Sequence, residues 1–153
     1  MSRKNKQTRL SWDKYFLKIA KTVSERSTCL RRKVGAVLVS DKRILATGYN
    51  GAPKGLIHCA QIGCLRHYLK IKPSERIEIC RGIHAEQNAL VQASFFGIPV
   101  AGATLYATHS PCITCAKLLI NAGIKRVVVM HSYPDAYAKK IFAEANIPVE
   151  ILK

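Results

Sequence analysis

The sequence predicts a three-layer α/β fold, a mixed five-stranded sheet with helices on both faces, and three observations carry that prediction. Two short apolar runs, Val34 to Val39 and Ile44 to Tyr49, flank the polar turn Ser40-Asp41-Lys42-Arg43, as in an antiparallel hairpin. After Gly82, helical and strand patterns alternate, and short right-handed crossovers between successive strands make them parallel. Two segments rich in metal-ligating side chains, His84-Ala85-Glu86 and Pro111-Cys112-Ile113-Thr114-Cys115, each open a helix of that alternating half.

Taken in order, Ser11 supplies an N-cap, and Trp12, Phe16, Ile19, Ala20 and Val23 recur at helical spacing with Lys and Arg between them. This predicts an amphipathic helix to about Arg26, followed by the hairpin. Asn50 to Gly82 is rich in Gly, Pro, Cys and His and poor in periodicity. A segment this long without regular structure is functional or cross-linked in a compact domain, and Leu65 to Leu69 predicts one short helix inside it. Ala, Leu, Val and Phe recur from His84 to Phe96, and Gly97-Ile98-Pro99 stops that helix. Thr104 to Thr108 reads as a strand, and Ser110 and Pro111 as the N-cap and first residue of a helix reaching about Ala122. Gly123 ends it, Arg126 to Met130 is a buried strand, Asp135 to Ala145 a helix and Pro148 to Leu152 the last strand. Residues 1–10 form a basic, flexible N-terminus, and 11–153 a single domain of a size that buries a proper core.

Composition narrows the function. No apolar run approaches the roughly 20 residues needed to cross a bilayer, and the N-terminus has no apolar signal-peptide region. The expectation is a cytoplasmic protein without membrane contact, whose six cysteines bind metal rather than pair as disulfides. The formal net charge of +16 favours anionic partners. The charges are scattered, and neither an aromatic-rich RNA-binding motif nor a helix-turn-helix is present, so nucleic acid is not the expected partner.

His84, Cys112 and Cys115 are three natural zinc ligands. Three protein ligands leave the fourth tetrahedral position to water, which distinguishes a catalytic zinc from a structural one. Zinc lowers the pKa of such a water from about 15.7 toward 7. Glu86, two residues past the histidine, is the candidate general acid/base. The pattern H-x-E…P-C-x-x-C is the signature of zinc nucleobase deaminases. Helix N-termini also favour thiolate at both cysteines.

From about Ser11 onward the chain resembles the deoxycytidylate (dCMP) deaminases of the zinc-dependent cytidine/deoxycytidylate deaminase superfamily. The segments that carry this are Lys33-Val34-Gly35-Ala36-Val37, Gly48-Tyr49-Asn50-Gly51-Ala52-Pro53-Lys54-Gly55, His84-Ala85-Glu86-Gln87-Asn88-Ala89 and Pro111-Cys112-Ile113-Thr114-Cys115-Ala116-Lys117. The resemblance implies a cytidine-deaminase-like fold, a homo-oligomer (commonly a hexamer), and hydrolysis of dCMP to dUMP and ammonia, which supplies dUMP for thymidylate synthesis. It implies substrate contacts from Asn50 to the sugar, from Ala85, and from Tyr133 near the phosphate; Arg31, Arg32 and Lys33 are candidates to attract that phosphate. Many such enzymes are activated by dCTP and inhibited by dTTP at a second site, for which Gly51, Lys54 and Gly55 are the candidates here.

Cys29, Cys59, Cys64 and Cys80 remain. Some of the resembled enzymes hold a structural zinc with two cysteines at the positions of Cys29 and Cys59 and two histidines. The matching histidines are absent here, and the four thiols suggest an all-cysteine site, with His58 as rival ligand. Zinc binding, worth roughly 10–16 kcal/mol in small peptides, could order the long segment. Two other readings compete with dCMP deamination: a polynucleotide-editing enzyme resembling the tRNA adenosine deaminases, and a zinc-stabilised DNA-binding module with a vestigial His-Ala-Glu.

Overall fold

The computed structural model describes residues 8–153; the expected flexible N-terminus lies mostly outside the described residues. The chain folds as α1 (Trp12–Ser24), β1 (Gly35–Ser40), β2 (Arg43–Tyr49), α2 (Cys59–Ile62), α3 (Leu65–Tyr68), a 3-10 turn (Ile77–Ile79), α4 (Ala85–Phe95), β3 (Thr104–His109), α5 (Ile113–Asn121), β4 (Arg126–His131), α6 (Ala136–Glu144) and β5 (Val149–Ile151). Spatial strand order is β2-β1-β3-β4-β5. The hairpin is antiparallel, β1 also runs antiparallel to β3, and β3, β4 and β5 are mutually parallel. The predicted mixed sheet is therefore present. Among the described residues no helix is long and apolar enough to cross a membrane.

Alternation along the strands sorts the core into two layers. Ala36, Leu38, Leu105, Ala107, Val127 and Val129 face one way, against α4, α5 and α6. Val37, Val39, Tyr106 and Val128 face the other, against Phe16, Leu17 and Ala20 of α1. Such period-two segregation is what a sheet covered on both faces requires. Ser11 caps α1 as expected, its Oγ accepting from the Lys14 N–H at 3.3 Å. The helix stops at Ser24, two residues short of Arg26. Asp41 and Lys42, both at positive φ, make the hairpin turn, a tighter connection than the four-residue turn expected.

Two sequence expectations need correction. The Asn50–Gly82 segment holds three short helical pieces, not one. Ser110 and Pro111 do not open α5: Cys112 is its N-cap. The first helical N–H, on Ile113, is taken by Asp135 Oδ2 at 2.8 Å, while Ser110 Oγ accepts from the Tyr133 N–H at 2.5 Å. Along α4, no large apolar side chain is fully buried, and Leu90 packs only partly against the core. Ala85, Glu86, Ala89 and Ala93 face inward, and Val91 and Phe95 outward. The reason is close approach to β2. A Cβ on Gly48 would stand 2.3 Å from the Ala85 carbonyl and 2.4 Å from the Ala89 nitrogen, so only small residues fit the contact.

Candidate active site

The two ligand-bearing segments meet where α4 and α5 begin. His84, the N-cap of α4, has extended backbone (φ −77°, ψ 157°) and its N–H donates to Gln87 Oε1 at 2.8 Å. Asn88 donates from Nδ2 to the Tyr49 carbonyl at 3.0 Å, tying the helix to the end of β2. The run His84-Ala85-Glu86-Gln87-Asn88-Ala89 thus carries a ligand, a carboxylate, a cap, a strap and two close-packing alanines. Asp135 fixes the other half: one oxygen holds the Ile113 N–H, and the other accepts from Ala138 at 2.9 Å. One carboxylate therefore caps both α5 and α6. Residue reading located Asp135 at a helix start but gave no signal for its second partner.

His84 Nδ1 lies 3.3 Å from Cys115 Sγ and 3.4 Å from Cys112 Sγ. All three ligand atoms fall within 4.8 Å of one another. In a tetrahedral zinc site, bonds of about 2.0 Å to nitrogen and 2.3 Å to sulfur place the two ligands roughly 3.5 Å apart. The triangle therefore fits zinc. Cys112 is held well down, to about 4, first by the Cys115 hydrogen bond and then by His84. His84 is raised by the same Cys112 contact, and Cys115 is raised by its bond to Cys112 and by burial.

Glu86 is 4% exposed, and its Oε2 lies 3.7 Å from Cys115 Sγ. Burial raises its carboxyl above the ordinary range, which favours the protonated form more than at an exposed carboxylate and suits a group that takes up and returns a proton. Glu86 faces a cavity of about 120 Å³ lined also by His84, Ala85, Cys112, Arg32, Val34, Asn50, Ile77, His109, Ser110 and Tyr133. Of the predicted substrate residues, Asn50, Ala85 and Tyr133 all reach this cavity. Asn50 has a structural duty as well: Oδ1 accepts from Val34 N–H and Nδ2 donates to the Arg32 carbonyl, both at 2.8 Å. Arg32 stands 5.4 Å from the centre of the Tyr133 ring, a cation–π contact at the cavity wall. Sequence reading gave no role to Ile77 or Val34, which carry no chemical signal beyond being apolar.

The other predicted groups lie elsewhere. Gly51, Lys54 and Gly55 line a separate cavity of about 570 Å³ with Tyr49, His58 and Asn88. Cys59, Cys64 and Cys80 line a third, of about 470 Å³. Burial, then the charges of Cys80, Cys64 and Cys29, raise the Cys59 thiol, so the four cysteines share one neighbourhood. Among the described residues, however, only the His84 set has its ligand atoms as close as a bound metal would hold them. His58 Nδ1 is engaged by Thr28 Oγ1 at 3.0 Å.

A five-stranded sheet that presents one imidazole and two thiols from successive helix starts, beside a buried carboxylate, is the scaffold of a hydrolytic zinc centre. Residues 10–131 match the model of the cytidine and deoxycytidylate deaminase zinc-binding region, and the chain belongs to that family. It is 45% identical over 143 residues to ComE operon protein 2 of Bacillus subtilis, covering 93% of this chain and 71% of that protein. It is 40% identical over 142 residues to deoxycytidylate deaminase of Saccharomyces cerevisiae, covering 92% of this chain but 45% of the yeast enzyme. The crystal structure of dCMP deaminase from the cyanophage S-TIM5 in complex with dCMP and dUMP superposes with a TM-score of 0.79 at 32% identity, covering 95% of this chain and 99% of that one.

Proposed function

We propose that this chain hydrolyses dCMP to dUMP and ammonia. The observation that carries the reading is the His84, Cys112 and Cys115 triangle with Glu86 buried against it in one cavity. The choice of substrate is supported by the relatives named as deoxycytidylate deaminases and by the phage enzyme's complex with dCMP and dUMP. When bound by these three residues, zinc supplies Lewis-acid chemistry that makes an attacking water available at neutral pH. Glu86 takes the proton from that water as its oxygen bonds to C4 of the ring, and delivers it to N3. The same carboxyl then moves the remaining hydroxyl proton to the exocyclic nitrogen. The C4–N bond breaks, ammonia leaves, and dUMP remains. Ala85, buried at the first turn of α4, walls the base. Asn50 keeps one Nδ2 hydrogen beyond its two backbone bonds, which serves a sugar hydroxyl. Arg32 and Tyr133 receive the phosphate.

Four further parts complete the reading. Cys29, Cys59, Cys64 and Cys80 hold a second, structural zinc; their shared neighbourhood supports it. The cavity bearing Gly51, Lys54 and Gly55 takes the effectors dCTP and dTTP. The chain assembles as a homo-oligomer, a hexamer. It works in the cytoplasm, where cysteines unpaired in disulfides, as all six are here, stay reduced.

The deciding experiment is Glu86→Gln in zinc-loaded protein. Turnover of dCMP, followed by ultraviolet absorbance, is expected to fall by about 10³-fold while zinc content by mass spectrometry stays the same. A variant as active as the parent, or a parent inactive on dCMP but active on tRNA, would sink the proposal.

A further inference from the structure

His109 lines the active-site cavity beside Arg32 and Tyr133, and neither the ligand triangle nor the proton transfers of Glu86 use it. Its environment fixes which nitrogen carries the proton. Thr108, only 2% exposed, accepts a hydrogen bond at Oγ1 from the buried Gly35 N–H at 3.2 Å. The same hydroxyl lies 3.0 Å from His109 Nδ1. With its oxygen accepting from Gly35, the hydroxyl's own hydrogen is satisfied by pointing at Nδ1; the reverse arrangement leaves a buried O–H without an acceptor, at a cost of about 1–3 kcal/mol. Nδ1 is thus the acceptor and Nε2 carries the hydrogen. The ring plane is steadied by His131, the next strand's residue in register, with ring centres 5.2 Å apart. Half-burial and the charge of Arg32 hold the imidazole down to about 4, so the ring is neutral through the physiological range.

We propose that His109 is a phosphate-recognition residue, presenting a neutral Nε2–H donor, oriented through Gly35 and Thr108, to the 5′-phosphate of the nucleotide beside Arg32. This rests on the reading of the cavity as a dCMP site. The division of labour follows from charge. Arg32 supplies the counter-charge, and a second full cation half-buried next to it would be costly, whereas a neutral donor adds a directed bond without repulsion. The result is discrimination between nucleotide and nucleoside.

The test uses zinc-loaded full-length protein. In His109→Leu, KM for dCMP rises about tenfold, the cost of one lost hydrogen bond to a charged group, with a much smaller change in kcat. The ratio of affinities for dUMP and deoxyuridine, by calorimetry, falls about tenfold. His109→Gln, which keeps a donor, recovers most of both. Nitrogen-15 NMR of the parent protein shows Nδ1 of His109 unprotonated and Nε2 protonated, a readout independent of whether a variant folds. An Nδ1–H tautomer, or equal losses of affinity for dUMP and deoxyuridine, overturns the proposal. A parent that binds neither dCMP nor dUMP overturns instead the substrate reading beneath it, while leaving the tautomer measurement to be judged by itself.

Discussion

At the scale of single residues, two acidic groups of the chain sit in opposite surroundings. Glu86 is the buried carboxylate with no cationic side chain as hydrogen-bond partner, and burial raises it. Asp13 is the opposite case. Arg126 donates to both its oxygens at 2.8 and 2.9 Å, the Tyr106 hydroxyl donates at 2.7 Å, and its carboxyl is held below 3.8, chiefly by the Arg126 bond. A depressed folded-state pKa contributes stability above the unfolded value and loses it as pH falls through the folded one. Asp13→Asn should therefore lower stability by about 1–2 kcal/mol at pH 7, a bidentate pair only partly screened by solvent. The gap between parent and variant should close as pH drops below 3.8. Urea denaturation at pH 7 and at pH 3 checks both halves, and a gap independent of pH would count against an ionic cause.

At the scale of elements, close packing and capping set the active-site geometry. Gly48 and the inward alanines let α4 lie against β2, and this carries His84 and Glu86 to one side of the cavity. Asp135 joins the starts of α5 and α6, and this carries Cys112 and Cys115 to the other. The segment between β2 and α4 is held differently. It has only short helices, one isolated bridge between Gly51 and Ile83, and no fully buried residue in α2. Buried Arg66 links it to itself by donating to the carbonyls of Lys72 and Glu75. If a second zinc supplies the missing cohesion, purified protein carries about two zinc per chain, and Cys59→Ser carries about one. That variant should also expose the segment between β2 and α4 to proteolysis while keeping the catalytic ion. One zinc per chain in both proteins would refute the four-thiol site.

At the scale of the whole molecule, the outward face of α4 is the feature a lone protomer leaves unexplained. Phe95 is 80% and Phe96 67% exposed, and Val91 joins them. Such a patch marks an interaction surface, and it supports self-association through this helix. Sedimentation velocity should find the parent oligomeric and Phe95→Asp shifted to smaller species; an unchanged distribution would place the interface elsewhere. The sequence alone determined the strands, most helix ends and the candidate ligand set with the carboxylate beside it, because period-two and period-3.6 patterns and ligand spacing are local and survive in one dimension. It also determined the family, since Asn50, the His84 to Ala89 run and Pro111 to Cys115 stand in unbroken stretches. Only the tertiary structure decided that Asp135 caps α5, that Val91 and Phe95 of α4 face outward, and that Ile77 shares a wall with Glu86. Those facts depend on how elements distant along the chain approach one another, and that distance of approach is set by side-chain volume at contacts such as Gly48 against Ala85, which no local pattern records.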